Sequence, residues 1–242
     1  MQQLNPKNSL NLFELDNQLD YLISLHETQK FPKVLMLTGE KGIGKFTLIN
    51  HFLNYVFDKK NYNLDEKKIN SETIYYKNYL NNIIPNIIYL SEELIKKVSV
   101  ENIREIKKTI LKSTLSSEDR FIILDDVETF NINSLNALLK LIEEPQSNNY
   151  FILINNKSKY LIDTISSRSL EIKIFMNQSK RKNVITSLLR LHNIDVSLNY
   201  QLFDLTPGNF LIFNEICSNL EIDINGIFLD NFVKIINYYK KE

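Results

Sequence analysis

Apolar and polar positions along the chain follow two alternating periods. Short, almost wholly apolar runs are separated by longer stretches whose apolar residues recur at helical spacing, the pattern of parallel strands joined by helices. Leu12, Leu15, Leu19, Leu22, Ile23 and Leu25 share one helical face and predict an opening helix. Val34 to Thr38 reads as a buried strand ending at Gly39, and Phe46 to Phe57 as the helix after it, with Leu48, Ile49, Phe52, Leu53 and Val56 inward. Residues 58 to 82 are polar, rich in Asn and Lys and without a period; an irregular insertion is expected there. Asn86 to Leu90 predicts a second strand, and Ser99 caps a helix that turns Ile103, Ile106 and Ile110 inward and Arg104, Lys107, Lys108 and Lys112 outward. Arg120 to Leu124 predicts a third strand, closed by Asp125 and Asp126. A helix from Asn133 to Glu143 follows, stopped by Pro145, and then strands at Tyr150 to Ile154 and Leu170 to Ile174. Beyond Asn177 only helical periodicity remains. The expected fold is α/β: a parallel-sheet core over residues 1–175, a small all-helical lid over 176–215 and a short helical tail over 216–242.

Composition narrows the chemistry. Lys plus Arg and Asp plus Glu are equal at 29 each, so any contact with nucleic acid must be local or shared with partners. A single cysteine, Cys217, excludes a disulfide framework and a four-cysteine zinc module, and its apolar surroundings read as core. The first ten residues lack the apolar run of a signal peptide, and no stretch reaches the ~20 apolar residues that span a bilayer, so a cytoplasmic location without membrane contact is expected.

The most informative segment is Gly39-Glu-Lys-Gly42-Ile-Gly44-Lys45, which leaves a strand and opens a helix. Glycines in this setting let backbone N–H groups turn toward phosphate oxygens, the helix adds its positive end, and the lysine reaches the outer phosphates. Gly39, Gly42, Gly44 and Lys45 are therefore candidate phosphate-binding positions. The next position needs a Ser or Thr hydroxyl for Mg²⁺ but carries Phe46; Thr47 is turned away by about 100°. Phosphate cradle and metal site thus part company, and no metal is expected. Asp125, at the end of the third strand, stands where a Walker B carboxylate holds the Mg²⁺ shell. Asp126, one methylene shorter than the glutamate that orients water in hydrolysing enzymes, follows it.

With these residues in place, the chain resembles a known family. Asp125-Asp126-Val-Glu-Thr-Phe, then Asn136-Ala-Leu-Leu-Lys140-Leu-Ile-Glu-Glu-Pro145, then Ser167-Arg168-Ser169 resemble, in order and spacing, the clamp-loader subunits of bacterial DNA polymerase III, of the AAA+ P-loop class. The resemblance covers about residues 10 to 215. Among the subunits, Phe46 and Asp126 favour the non-hydrolysing delta-prime type over gamma/tau. It implies a stator that lends Arg168 as an arginine finger to a neighbouring ATPase during sliding-clamp loading. It also implies gamma/tau and delta subunits as partners, with clamp and primer-template DNA met through the assembly. Asn155 or Asn156 would occupy the polar sensor position, unless they simply form a turn. With Thr47, Asp125, Asp126 and Asn155, the phosphate loop completes the candidate nucleotide site; whether ATP binds there stays open.

The chain also departs from the pattern. Residues 58–85 hold no cysteine, so the zinc of many delta-prime subunits is not expected, and Thr206-Pro207-Gly208-Asn209 stands where active relatives end Pro-Gly-Arg. The family's helical collar is expected here as a remnant over 216–242. Two rival readings are an active ATPase, gamma/tau-like or of helicase-loader type, and an interaction module outside replication. His26, His51 and His192 read as ordinary helix residues, the Arg and Lys face of the helix after Ser99 as a solvated face or a DNA contact, and Phe228 to Tyr239 as an apolar docking stripe.

Overall fold

The runs rich in Ile, Leu, Val and Phe pair into one parallel sheet: β1 (Val34–Thr38), β2 (Ile87–Leu90), β3 (Arg120–Leu124), β4 (Asn149–Asn155) and β5 (Leu170–Lys173), in the spatial order β2-β3-β4-β1-β5. The computed structural model of the chain describes residues 5–91, 98–112, 119–145, 148–197 and 204–222, together with 230, 233, 234, 236 and 237. Register places Val34 opposite Phe151, Leu35 opposite Leu170, Tyr89 opposite Ile123 and Ile123 opposite Ile152. β1 and β3 are buried along their whole length because helices cover both faces, which is why Val34 to Leu37 and Phe121 to Leu124 are unbroken apolar runs. The edge strands β2 and β5 are less covered.

Two compact units make up the chain: residues Met1–Glu40 with Lys45–Phe175, and Lys41–Gly44 with Met176–Glu242. In the first, α1 (Asp16–Glu27) and α2 (Lys45–Phe57) carry one apolar face, while α4 (Val100–Lys112) and α5 (Ile132–Ile142) carry another. Ile103, Ile106 and Ile110 pack with Leu135, Leu138 and Ile142 over Met36, Ile122, Leu124, Phe151 and Leu153. Alternate strand residues point to the opposite face. There Phe52 meets Phe121 edge-on at 5.7 Å between ring centres and stacks on Phe31 at 5.0 Å.

The insertion at 58–82 is more regular than its composition predicts. Thr73 caps α3 (Ile74–Leu80), its Oγ1 accepting the Tyr76 N–H at 3.1 Å, and Tyr76 and Tyr79 are buried. Seven residues are too few to display a helical period. The asparagines close turns, as where Asn63 Oδ1 accepts the Glu66 N–H at 3.0 Å. A further short helix, α6 (Asp163–Ser166), leads into β5. His26 is also more than an ordinary helix residue: its Nε2 lies 3.1 Å from Asp119 Oδ2, tying α1 to the start of β3. His51 is fully buried beside the Tyr62 hydroxyl at 2.9 Å, and burial pushes its imidazole down to about 3, leaving it neutral.

The second unit contains α7 (Gln178–His192) and α8 (Pro207–Asn219). Val184, Ile185 and Leu189 of α7 and Phe210, Leu211 and Ile216 of α8 are buried. Asn214 orders the connection, donating to Asp195 O at 2.9 Å and accepting the Ser197 N–H at 2.8 Å. Cys217 is half-buried rather than core. Most of the apolar stripe expected in the tail, including Phe228, Leu229, Phe232, Ile235 and Tyr239, lies outside the described residues. Among the described residues no helix is long and apolar enough to cross a membrane.

Asn131 gives the first unit a testable joint. Its Oδ1 caps α5 by accepting the Ser134 N–H at 2.9 Å, and its Nδ2 donates to Val98 O at 3.0 Å. Asn131→Ala removes both bonds and should cost about 1–2 kcal/mol, read as a lower urea midpoint at unchanged slope. Asn131→Asp, which keeps the cap and loses the donor, should fall between the two.

Candidate functional site

Parallel strands in one sheet deliver their carboxyl ends to the same side, where open α/β folds place ligands. Here that side receives Gly39 after β1, Asp125 after β3 and Asn155 at the end of β4. The Gly39 N–H donates to Asn155 O at 3.1 Å, and the Ile174 N–H to Thr38 O at 2.8 Å. A Cβ on Gly39 would lie 2.4 Å from the Ile174 carbonyl oxygen, so the chain leaving β5 requires glycine there whatever the loop binds. Lys45 opens α2 almost fully buried, and its ammonium donates to Gly39 O and Glu40 O, each at 2.7 Å. Thr47 sits half-buried on the first turn of α2.

The loop tip, Lys41–Gly44, groups with the second unit. Gly42 and Gly44 have φ of 80° and 97°, a left-handed backbone that favours glycine. Gly42 O accepts the Gly208 N–H at 2.8 Å and Lys41 O accepts the Thr206 hydroxyl at 2.7 Å. A Cβ on Gly208 would lie 2.7 Å from Gly42 Cα. The Pro207-Gly208 pair that opens α8 is therefore matched to this loop by backbone contact, with Asn209 where the cationic side chain of the motif would stand.

The acidic positions are heavily engaged. Asp125 Oδ1 accepts the Asp126 N–H at 2.8 Å, and Oδ2 accepts the Tyr89 hydroxyl at 3.1 Å. Burial, with the charge of Asp126 beside it, pushes the Asp125 carboxyl up to about 6. Asp126 adopts a left-handed backbone, φ 53°, and its Oδ1 accepts the Asn156 amide at 2.7 Å. Phe46 turns its ring edge toward Tyr89, 5.0 Å between centres. Measured against the needs of Mg²⁺, which takes oxygen ligands in a tight octahedron, these residues fit poorly: Phe46 supplies no oxygen, and the Asp125 oxygens share their lone pairs with the Tyr89 hydroxyl and the Asp126 N–H. Among the described residues no three His, Cys, Asp or Glu side chains converge in a metal-binding group.

The two asparagines expected at the sensor position differ in what they bind. Asn155 Oδ1 accepts the Lys157 N–H at 2.9 Å, a turn-forming bond, while Asn156 reaches the aspartates. Glu128 is buried in a 3-10 turn (Val127–Thr129), and its Oε1 accepts the Ser158 hydroxyl at 2.7 Å. Arg168 follows α6. Its Nη1 donates to Thr164 O at 3.0 Å and its Nη2 pairs with Glu143 Oε1 at 3.0 Å, with two-fifths of the side chain exposed. Sequence reasoning missed Tyr89 and Glu143; the only signal for Glu143 was its place in the Glu-Glu-Pro element.

The raised Asp125 carboxyl has a definite pH signature. A carboxyl that is harder to ionise when folded contributes stability fully below its unfolded value, near 3.8, and that contribution is lost as pH rises through about 6. Asp125→Asn cannot ionise, so its stability relative to the parent chain should rise between pH 4 and 7 and then level, by on the order of 1–3 kcal/mol. Urea unfolding at pH 4.5 and 7.5, on either side of about 6, measures the difference.

Residues 15–178 match the profile of the family described as DNA polymerase III, delta subunit. The chain is 23% identical to DNA polymerase III subunit delta' of Buchnera aphidicola subsp. Baizongia pistaciae, across 94% of this chain and 72% of that one. It is 26% identical to DNA polymerase III subunit gamma of Buchnera aphidicola subsp. Acyrthosiphon pisum, across 66% of this chain and 43% of that one. Among solved structures, a RuvB variant of Thermotoga maritima superposes with a TM-score of 0.50 at 15% identity, covering 90% of this chain and 66% of that chain, a likeness of fold alone. Because that family match spans more than half of the chain, and relatives named DNA polymerase III subunit delta' align with it, the chain belongs to the family described as DNA polymerase III, delta subunit.

Proposed function

We propose that the chain serves as a delta-prime-like stator of the DNA polymerase III clamp loader, hydrolysing no ATP itself and lending Arg168 to the ATP phosphates of a neighbouring subunit. The observation that carries this reading is the setting of Arg168. The guanidinium stands partly exposed between α6 and the edge strand β5, held from one side by Thr164 O and from another by Glu143. A planar, permanently charged fork fixed at two points is suited to delivering charge and paired hydrogen bonds to phosphate in trans. The poor fit of Phe46 and Asp125 to Mg²⁺ supports the non-hydrolysing part. Gamma/tau and delta subunits are the proposed direct partners, with sliding clamp and primer-template DNA engaged through the assembly in the cytoplasm.

Reconstituting the loader with variants of this chain tests the proposal. Arg168→Ala should lower ATP hydrolysis at the adjoining site by at least ~10²-fold, somewhat below the usual worth of such a finger, and Arg168→Lys should rescue little because it lacks the fork. Both variants should keep the parent's stability within about 1 kcal/mol, since the Glu143 pair is solvent-accessible. Glu143→Gln should give a smaller loss. Undiminished hydrolysis in an intact complex carrying Arg168→Ala would rule the finger out.

A further inference from the structure

We infer that the Tyr89 hydroxyl, braced by the Phe46 ring, takes the place that a divalent ion would hold at the aspartate end of a phosphate-loop site, so that this end of the sheet is closed without metal. The inference deepens the non-hydrolysing half of the reading above and rests on it only in treating Gly39 to Lys45 as a phosphate loop; it is independent of Arg168.

Register is the first argument. Tyr89 lies opposite Ile123, two residues before Asp125, so parallel pairing sends Tyr89 and Asp125 to the same face of the sheet on adjacent strands. An aromatic side chain spans that diagonal, and the hydroxyl donates to Asp125 Oδ2 at 3.1 Å. The second argument is valence. Each carboxylate oxygen carries two lone pairs, and on Asp125 one at Oδ2 is turned to Tyr89 and one at Oδ1 to the Asp126 N–H at 2.8 Å, so protein donors share the acceptor capacity that a cation would draw on. Asp126 Oδ1 is taken by the Asn156 amide at 2.7 Å. Neutral donors thus supply what a cation would otherwise supply to this acidic pair. The third argument is the partner of the substitution at position 46. The residue after Lys45 removes a hydroxyl ligand, and its ring also packs edge-on against Tyr89 at an interplanar angle of 61°, fixing the phenol where it meets Asp125. Phe46 and Tyr89 therefore act as a pair, and undoing one leaves the other in place.

That coupling makes the inference falsifiable with the isolated full chain. Binding of a fluorescent ATP analogue is followed by anisotropy in Mg²⁺ and in EDTA for the parent, Phe46→Thr, Tyr89→Phe and the double variant. The parent and both single variants should bind equally, or not at all, in the two conditions. The double variant should gain at least a tenfold tightening that depends on Mg²⁺. Full Mg²⁺ dependence in Phe46→Thr alone, or none in a double variant whose circular dichroism is native, would overturn the inference. Manganese EPR on the parent chain covers the case in which the double variant does not fold. Absence of bound Mn²⁺ at millimolar metal supports the substitution of phenol for metal, whereas bound Mn²⁺ that Asp125→Asn abolishes refutes it.

Discussion

Two adjacent carboxylates at the buried end of a central strand impose the constraint around which this core is arranged. β3 is paired on both sides, so Asp125 and Asp126 cannot swing out to solvent without breaking register with β2 and β4. Burying one carboxylate is costly, and burying two side by side adds repulsion, which is why the Asp125 carboxyl is held well above its ordinary range. What offsets this is local and specific. The Tyr89 hydroxyl, the Asp126 backbone N–H and the Asn156 amide point donors at the pair, Lys45 contributes charge, and Asp126 accepts a left-handed backbone to reach Asn156. In an enzyme of this architecture a metal ion would carry much of that load; here side chains from β2 and from the end of β4 carry it.

The glycine loop illustrates how a motif persists for reasons other than its ligand. Gly39 is required by the Ile174 carbonyl, Gly42 by the close approach of Gly208, and Lys45 is satisfied by the loop's own carbonyls. Each contact belongs to packing. A reader of the sequence sees Gly39 to Lys45 and infers phosphate, but the same residues would be retained by the fold if phosphate never bound. Fold and function are separately encoded here, and on the proposed reading Phe46 and Asp126 are the positions that report on activity.

Much of the core was legible because parallel strands covered on both faces must be continuously apolar, and β1, β3 and β4 display that requirement directly. The elements that escaped are those too short to carry a period, α3 with seven residues and α6 with four. At the site, the missing hydroxyl at position 46 could be read from the sequence, but its replacement could not. Tyr89 and Asp125 are 36 residues apart and meet only through strand register. Arg168 with Glu143, and His26 with Asp119, are likewise products of topology. Asn155 and Asn156 show the same limit on the smallest scale: neighbours of identical type at a strand end, of which one closes the turn and the other reaches the aspartates.

These features bear on why a chain that, on the proposed reading, hydrolyses no ATP would keep this fold. A residue that stabilises charge in a partner's site must be held where it already needs to be, because any ordering on contact subtracts from what it contributes. Arg168 gains that order from Thr164 on its own short helix and from Glu143 at the end of α5, and both rest on strands whose carboxyl ends are fastened together through Gly39, Asn155 and Ile174. On the inference above, Tyr89 and Phe46 close the aspartate end of the same sheet without a metal ion. On the proposed reading, loss of chemistry within the chain and steadiness of the arginine presented outside it are two results of the same packing.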